Sequence, residues 1–333
     1  MHLLGLLSAA LLTFFVAVLQ DGARAEPVRL SIPNVHAGFA HVFVAEDKGY
    51  FKAEGLDVQV SVVGGGTATP ALIGGSLDYS SSPASAIGAI LRGGQLRIVL
   101  ATGIRPIYEL WSFDPAIRTI EEIKGQQIAI MTRGGTDEIA MRMLFKARNL
   151  PPDYVAFSAL GREGRMAALI AGTQKLSLLG RIERAELENA GLKLANGRMI
   201  FDLAQNVELA TGGLVATESE LTKNRDRAKK VLRALWKGRI YMKTVDGGTI
   251  DVVQKRLPKM PRETLASDLD AARDDSSDDG TIALASVEKE LAVRAEILGI
   301  APDKVLPADK VYDFSLMREI LAELKAANWR PAP

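Results

Sequence analysis

Hydrophobic positions downstream of residue 26 fall into short β-rich runs that alternate with stretches of helical period. The β-rich runs predict strands over residues 28–32, 56–63, 77–79 and 96–101. Helical stretches lie between them, for example at 37–51 and 84–91. Strands separated by helices at this spacing are typical of βαβ units in a parallel sheet. The pattern therefore predicts an α/β protein.

A short sequence repeat indicates that this α/β unit occurs twice. Residues 71–80 read ALIGGSLDYS, and residues 168–177 read ALIAGTQKLS. Each segment has the pattern of a helix end, a glycine stop and the start of a strand. Because no low-complexity linker separates the copies, we predict two lobes joined through strands, as in a hinge. The rest of the chain is predicted to be mostly helical, over 221–245, 250–257, 282–298 and 314–327.

The first 25 residues differ in composition from the rest of the chain. An apolar run over 3–19 is followed by Ala23 and Ala25, the small residues that a signal peptidase recognises. The segment before the run contains no Lys or Arg, which departs from the usual signal pattern. A membrane anchor is the alternative, but the run is shorter than the roughly 20 residues of a spanning helix. We predict a cleaved signal peptide over 1–25 and a mature chain that is exported to the periplasm.

Composition and charge exclude several classes of function. The 333 residues are 47% hydrophobic and 24% charged, as in soluble globular proteins, and they are numerous enough for two domains. The net charge of +1 argues against nucleic acid or an anionic membrane surface as a partner. Cysteine is absent, which excludes disulfides, thiolate catalysis, cysteine-ligated metals and a lipid on an N-terminal cysteine.

Three consecutive glycines after the second predicted strand look like the start of a phosphate-binding loop. The segment VVGGGTATP at 62–70 lacks the Gly-Lys-Ser/Thr ending of a P-loop and the third glycine of a dinucleotide-binding turn. A nucleotide site is therefore not supported. Two interpretations stay open, namely a tight turn or a backbone around Gly65 that approaches a small ligand closely. Thr67 is predicted to cap the short helix that follows.

Two strand-to-helix junctions carry small hydroxylated residues, one in each predicted lobe. Ser81 and Ser82 precede a proline in the first junction, with Ser82 as the predicted N-cap. Thr132, Arg133 and Thr136 belong to the second, with Thr136 as the predicted cap of a long helix. These residues are either ordinary caps or line a cleft at the carboxyl ends of the strands, where helix N-termini favour an acceptor group.

Charged residues beside these junctions bear on the kind of ligand. Arg105 and Arg133 could pair with a carboxylate or sulfonate. Asp137 and Glu138 stand in the first turn of the second helix, where they oppose an anion. The balance favours a solute with one acidic or strongly accepting group and an apolar or aromatic remainder.

The remaining candidate residues do not indicate catalysis or a metal site. His36 follows the first strand and could touch a ligand, whereas His41 lies on an apolar helix and is predicted to be structural. The segment RDDSSDDG at 273–280 imitates half of a calcium loop, but Ser286 stands where a bidentate acid is required. The sequence offers no recognisable set of nucleophile, base and orienting group. We predict no enzyme activity, no metal and no cofactor.

Residues 41–58, HVFVAEDKGYFKAEGLDV, resemble the N-terminal signature of solute-binding proteins of the nitrate/sulfonate/taurine ABC-importer class, also called the thiamine-precursor-like group. Three further stretches extend the resemblance over nearly the whole mature chain. They are ALIGGSLDYSSSPASAIGAILRGGQLRIVLA, IRTIEEIKGQQIAIMTRGGTDEIAMRMLF and GREGRMAALIAGTQKLSLLG. The resemblance implies the type II periplasmic binding fold, in which each of two lobes is a mixed sheet flanked by helices and a ligand cleft lies between the lobes.

The resemblance also implies a path for the chain and a set of cleft residues. Lobe 1 would comprise residues 26–108 and 212–333, and lobe 2 would comprise 109–211. With the arginines named above, the predicted ligand-binding residues are Asn34, His36, Gly65, Ser81, Ser82, Arg105, Thr132, Arg133, Thr136 and Gly161. The sequence departs from the class at GRIER, residues 180–184, where a smaller or apolar segment is expected.

The function that the resemblance implies is capture of a small organic solute in the periplasm by lobe closure. The solute would then pass to the transmembrane subunits of an ABC permease, and the protein is predicted to act as a monomer. Two alternatives stay open. One is an enzyme on the same fold, in pyrimidine-precursor or related metabolism, although the enzymes that resemble this fold rely on cysteine. The other is a ligand-sensing subunit of a membrane signalling system.

Overall fold

The computed structural model describes residues 25–332, with only the backbone described at positions 65, 181, 182 and 185. The predicted signal segment up to residue 24 lies outside the described residues. Across 25–332, no helix combines the length and the apolar character needed to cross a membrane.

The described chain alternates strands and helices in its first two thirds and is helical in its last third. The strands are β1 (Glu26–Ile32), β2 (Leu56–Val62), β3 (Tyr79–Ser80), β4 (Leu96–Gly103), β5 (Tyr108–Ser112), β6 (Gln127–Ile130), β7 (Ala156–Ala159), β8 (Leu176–Gly180), β9 (Arg198–Asp202) and β10 (Gly212–Thr217). The helices are α1 (Ala40–Asp47), α2 (Tyr50–Ala53), α3 (Gly65–Ile73), α4 (Pro83–Ile90), α5 (Thr136–Ala147), α6 (Gly161–Ile170), α7 (Arg181–Asn189), α8 (Glu218–Lys223), α9 (Arg225–Thr244), α10 (Asp246–Arg256), α11 (Arg262–Asp274), α12 (Leu284–Leu298) and α13 (Ser315–Ala326).

The strands form two five-stranded sheets with the same arrangement. The first sheet has the order β2-β1-β3-β10-β4, and the second has the order β7-β6-β8-β5-β9. In the first, β1 is parallel to β2 and β3, and β10 is antiparallel to both of its neighbours. In the second, β6 is parallel to β7 and β8, and β5 takes the antiparallel place. The prediction of an α/β protein with two mixed sheets flanked by helices is confirmed.

The sequence repeat marks equivalent junctions of the two sheets. Residues 71–80 contain the end of α3, a turn and β3, and residues 168–177 contain the end of α6, a turn and the start of β8. Gly75 and Gly172 have φ angles of 75° and 70° in these turns. Only glycine adopts this left-handed conformation without steric cost, so it ends each helix and redirects the chain into the third parallel strand.

Each sheet has its own apolar core. The first sheet and the helices around it bury Leu30, Val215, Leu235 and many other apolar side chains in one cluster. Leu110, Ile128 and Leu178 belong to a second cluster around the other sheet. Helix α12 joins the two, because its Val293 packs into the second cluster although the helix follows β10 in the chain. The lobe boundaries at 108 and 212 stay a prediction.

Several helix limits differ from the sequence prediction. Thr136 is not a cap, because it is the first residue of α5 and Gly135 holds the N-cap position with extended backbone angles. Thr67 is not a cap either, since α3 already begins at Gly65. The predicted helix over 221–245 is interrupted at Asn224, which separates α8 from α9. Helix α11 was not predicted from the apolar pattern, because it buries only Leu265 and Leu269.

Candidate functional site

Two segments of the chain cross from one sheet to the other, between β4 and β5 and between β9 and β10. These crossings bring the carboxyl ends of the parallel strands of the two sheets together. The chain leaves the first sheet at Gly103 and enters the second at Tyr108, and it returns between β9 and β10. The crossings run side by side, with Thr211 N–H donating to Gly103 O at 2.9 Å and Leu209 N–H to Ile104 O at 3.0 Å. β4 ends at the edge where the parallel strands β1 and β3 end, and Tyr108 pairs with Gly180 at the end of β8. The strand ends of both sheets therefore meet at one place, where open α/β sheets bind ligands.

Nine of the ten residues predicted to bind a ligand follow the carboxyl end of a parallel strand, and the tenth lies on the first crossing. Asn34 and His36 follow β1, Gly65 follows β2, and Ser81 and Ser82 follow β3. In the second sheet, residues 132, 133 and 136 follow β6 and residue 161 follows β7, while residue 105 lies on the first crossing. Their contact with a ligand stays a prediction.

His36 is held in one orientation beside the end of β1. Its Nδ1 accepts a hydrogen bond from Gly38 N–H at 2.9 Å, and its ring packs edge-on against Phe39 with a centroid distance of 4.7 Å. Burial lowers the pKa of His36 to about 4, so the imidazole is neutral at pH 7 and Nε2 carries the proton. The Nε2–H group is a donor with no hydrogen-bond partner among the described residues.

The junction between β3 and α4 presents buried hydroxyl groups without protein partners. Ser81 and Ser82 are 3% and 8% exposed, and neither hydroxyl has a hydrogen-bond partner within the described residues. Ser81 is anchored through its backbone N–H, which donates to Ser31 O at 2.8 Å. Ser82 occupies the N-cap position of α4, but its side chain does not cap the helix. Buried polar groups are normally satisfied, so these hydroxyls are candidates for solute or water contacts.

The junction between β6 and α5 is satisfied internally. The Asp137 carboxylate accepts a hydrogen bond from Met131 N–H at 2.5 Å. Glu138 accepts from Gly134 N–H at 2.8 Å and pairs with Arg142 at 2.8 Å. Both acidic side chains are 1% exposed. The two junctions therefore differ in chemistry. By strand order, β6 corresponds to β1, and β3 corresponds to β8.

The two arginines predicted to bind an acidic group have different surroundings. Arg133 donates to Phe157 O and lies 3.7 Å from the Glu138 carboxylate. Its guanidinium therefore already has partners on β7 and α5. Arg105 is exposed, makes no hydrogen bond with another described residue, and has Asp278 as a charge near enough for its own charge to help lower the pKa of that carboxyl. Of the two, Arg105 could therefore meet a ligand without breaking a hydrogen bond within the described residues.

A buried ion pair that the sequence analysis missed organises the loops after β7 and β8. Arg165 is fully buried and pairs with Glu183 at 2.5 Å. Its guanidinium also donates to Gly161 O at 3.3 Å and to Leu178 O, and Glu183 accepts from Gly180 N–H at 2.8 Å. The sequence signal is Glu183 three residues after Gly180, the position of the acid in a capping box. Because Gly180 has no side chain, only the half of the box that Glu183 supplies is present at the start of α7.

Tyr108 and three apolar side chains complete the surroundings of the strand ends. Tyr108 is half-buried, and its pKa is raised by burial first and then by the charges of Asp137 and Glu183. Val62, Ile107 and Leu160 are 59%, 42% and 40% exposed at the end of β2, on the first crossing and before α6. Exposed apolar side chains at a strand edge are suited to an apolar part of a ligand. Within residues 25–332, no group of three or more His, Asp or Glu residues could hold a metal ion.

The chain is similar in sequence to a known family and to a curated protein. The sequence model of the family described as NMT1/THI5 like matches residues 36–244. YtlA of Bacillus subtilis (strain 168), which is named as a binding protein, is 23% identical over 217 residues, and these cover 61% of this chain. The match spans 62% of YtlA, which is less than two thirds of its length.

Two solved structures share the fold at low sequence identity. The periplasmic aliphatic sulphonate binding protein SsuA from Escherichia coli superposes with a TM-score of 0.68 at 16% identity, covering 86% of this chain and 92% of SsuA. The periplasmic nitrate-binding protein NrtA from Synechocystis PCC 6803 gives 0.69 at 15% identity, covering 92% of this chain and 91% of NrtA. The two-lobed fold of periplasmic binding proteins is thereby confirmed. Since the family match extends over more than half of the sequence, the chain belongs to the NMT1/THI5-like family.

Proposed function

We propose that this protein is the periplasmic solute-binding component of an ABC importer. It captures a small organic solute, with one acidic or strongly accepting group, between its two lobes and delivers it to the transmembrane subunits of a permease. The observation that carries the proposal is the pair of unpartnered, buried hydroxyls of Ser81 and Ser82 at the edge where both sheets end. The resemblance to SsuA and NrtA, both named as periplasmic binding proteins, supports it.

The paired crossings provide a hinge for the proposed lobe closure. Backbone hydrogen bonds at Gly103 and Ile104 join the crossings directly, and a third segment runs beside them, with Ile104 N–H donating to Asp275 O at 2.9 Å. Rotation about such short segments leaves both sheets intact. A solute that contacts both lobes favours the closed form over the open one by its additional contacts in that form. A permease that recognises the closed form then receives loaded protein selectively.

The alternative of an enzyme on this fold receives little support from the site. The side chain nearest to a general base is His36, whose Nδ1 is engaged with Gly38 N–H and whose pKa is lowered to about 4 by burial. A base with that pKa is far from the value that suits proton transfer at pH 7. A ligand-sensing subunit would use the same cleft, and it differs from a transport protein only in its membrane partner.

A thermal-shift screen followed by calorimetry tests the proposal. The panel contains small carboxylates, sulfonates, aromatic acids and pyrimidines. A solute at 100 times its Kd adds about 2.7 kcal/mol to the free energy of unfolding, so a ligand of the site raises Tm by several degrees. We expect a ligand with an acidic group that binds with one-to-one stoichiometry and is recovered unchanged. Conversion of that ligand to a product would contradict the proposal and favour the enzyme.

A further inference from the structure

The positive end of α5 is occupied by a carboxylate of the protein itself. Asp137, the second residue of the helix, turns its side chain back over the helix start and accepts from Met131 N–H. The same carboxylate lies over the N-cap residue, because a Cβ added at Gly135 would stand 2.9 Å from Asp137 Oδ1. The first-turn N–H groups of a helix are the ones that it offers to an anion. An acidic group of a solute that approaches the start of α5 therefore meets the carboxylate of Asp137.

The charges around Asp137 strengthen this exclusion. Arg165 is the cation that acts on Asp137, but it is also the ion-pair partner of Glu183 at 2.5 Å. Two buried carboxylates thus share one guanidinium at this edge of the second sheet. Glu138 is flanked by two guanidinium groups, that of Arg142 at 2.8 Å and that of Arg133 at 3.7 Å. The carboxylate without a cation of its own is therefore Asp137, and Coulomb repulsion from it disfavours a second anion at the start of α5.

The equivalent edge of the first sheet has the opposite character. The hydroxyls of Ser81 and Ser82 are more than nine-tenths buried and have no partner among the described residues. The first turn of α4 is not capped by the Ser82 side chain, and the α4 residues at this end, Pro83 and Ala84, carry no acid. The Nε2–H of His36 adds a neutral donor after β1. This edge offers hydrogen-bond donors and a helix N-terminus without an internal anion.

We propose that the two sides of the cleft differ in the groups that they accept, and that Asp137 determines which end of the solute faces the second lobe. The first lobe holds the acidic group of the solute through Ser81, Ser82 and the start of α4, and Asp137 keeps acids away from the start of α5. The donor or apolar end of the solute then faces the second lobe, near Tyr108 and Leu160. This orientation rests on the proposed solute-binding function, whereas the exclusion of anions by Asp137 does not.

Inorganic sulfate tests the exclusion without knowledge of the natural solute. Titration of the 15N-labelled protein with sulfate is followed by NMR for the wild type, Asp137→Ala, Asp137→Asn and the control Asp153→Ala, which removes an exposed acid of the same lobe. We expect the backbone amides of residues 131, 137 and 138 to respond to sulfate in Asp137→Ala, with a Kd at least tenfold lower than in the wild type. Asp137→Asn is expected to lie between the two, because it removes the charge and keeps an acceptor oxygen. The control should match the wild type.

One result would overturn the exclusion by Asp137. It is a Kd for sulfate, read from the 131, 137 and 138 amides, that is the same in the wild type and in both Asp137 variants. If Asp137→Ala does not fold, Asp137→Asn alone decides the question.

The orientation is tested with the acidic ligand from the thermal-shift screen and its neutral amide. The double variant Ser81→Ala and Ser82→Ala is expected to lose at least tenfold in affinity for the acid and less for the amide. An equal loss for both compounds would contradict the orientation. A failure to find any ligand would count against the proposed function and leave the sulfate result intact.

Discussion

Arg165 and Glu183 bring full charges into the interior of the second lobe, and their pairing determines whether those charges are tolerated. The pair is 2.5 Å apart and almost inaccessible to solvent. Two carbonyl oxygens and one backbone N–H satisfy most of the remaining hydrogen-bonding groups. Removal of one partner leaves a buried, uncompensated charge, which typically costs 3–5 kcal/mol in proteins.

We therefore expect Arg165→Met to lower the free energy of unfolding by about 3–5 kcal/mol in urea denaturation. The matched control is Arg162→Ala on the same helix, whose ion pair with Glu186 is solvent-exposed. An exposed pair contributes about 0–1 kcal/mol, so the control should stay close to the wild type. Equal effects of the two substitutions would show that burial of the Arg165 pair is not what stabilises the loops.

The buried histidines make stability depend on pH in a defined direction. Burial lowers the pKa of His36 to about 4 and that of His41 to about 3, from an ordinary value of 6.5. Below pH 6.5 the unfolded chain binds protons at these positions while the native protein does not. Stability is therefore unaffected by them above pH 6.5 and falls as the pH decreases from 6.5 towards about 4.

His41→Gln is expected to reduce this loss of stability. Between pH 7.5 and 5.5, each histidine that stays neutral in the native state removes about 1.4 kcal/mol from the free energy of unfolding. Urea denaturation at the two pH values should show that the variant loses about 1.4 kcal/mol less than the wild type. A pH dependence identical to that of the wild type would indicate that His41 is protonated in the native protein.

Single residues could be predicted from the sequence where a local pattern determines their place. The serines at 81 and 82 stand between a β-rich run and a proline, and that order alone positions them at a strand-to-helix junction. The buried roles of Arg165 and Asp137 could not be predicted from such a local pattern. Their partners lie on other elements or in the preceding loop, and a short-range pattern does not reveal which buried groups they satisfy.

At the scale of elements, α12 connects the two sheets. Arg294 donates to Gly134 O at 3.2 Å, in the loop before α5, and it pairs with the fully buried Glu290 one turn earlier at 2.8 Å. Ser286 on the same helix donates to the Glu208 carboxylate in the second crossing. Gly134 is held from both sides, since its N–H donates to Glu138. Helix α12 thus positions the loop that contains the predicted residues 132–136.

We expect Arg294→Met to loosen this loop specifically. The substitution removes the bond to Gly134 O and leaves Glu290 as an unpaired buried carboxylate, at a typical cost of 3–5 kcal/mol. Hydrogen exchange measured by mass spectrometry should become faster over 131–138, while strands β1 and β4 stay protected. Lys289→Ala, an exposed position on the same helix, is the control. Uniformly faster exchange throughout the protein would show that Arg294 stabilises the fold as a whole and does not position the loop.

The elements themselves differ in how well a sequence pattern predicts them. Strands β1, β2 and β4 have runs of apolar residues that agree with the prediction to within two residues. The starts of α3 and α5 differ from the prediction, because Gly64 and Gly135 hold the N-cap positions that the sequence pattern assigns to Thr67 and Thr136. Glycine can occupy an N-cap without a side-chain bond, so a hydroxyl nearby is a weak indicator of the helix start.

At the scale of the whole molecule, the first sheet is discontinuous in sequence and the second is continuous. Strands β5 to β9 follow one another and form the second sheet, whereas β10 returns after the second crossing and completes the first. The first sheet is therefore incomplete without a strand from beyond both crossings. The repeat of residues 71–80 at 168–177 predicts two similar units, but a local repeat does not reveal that a later strand returns to the first sheet. The resemblance to the solute-binding class predicts this return, with the boundary at residue 212.

The proposed function requires that a bound solute closes the two lobes around it. The distance between one label on each lobe, measured with and without ligand, tests this most directly. Because the chain has no cysteine, Ser61→Cys and Glu163→Cys provide two unique sites for spin labels. They lie on β2 and α6, beside the outer strands of the two sheets and far from the crossings in strand order. With a saturating amount of the ligand from the thermal-shift screen, double electron–electron resonance should show a shorter and narrower distance distribution than without ligand. An unchanged distribution at full occupancy, confirmed by calorimetry on the labelled protein, would contradict capture by lobe closure.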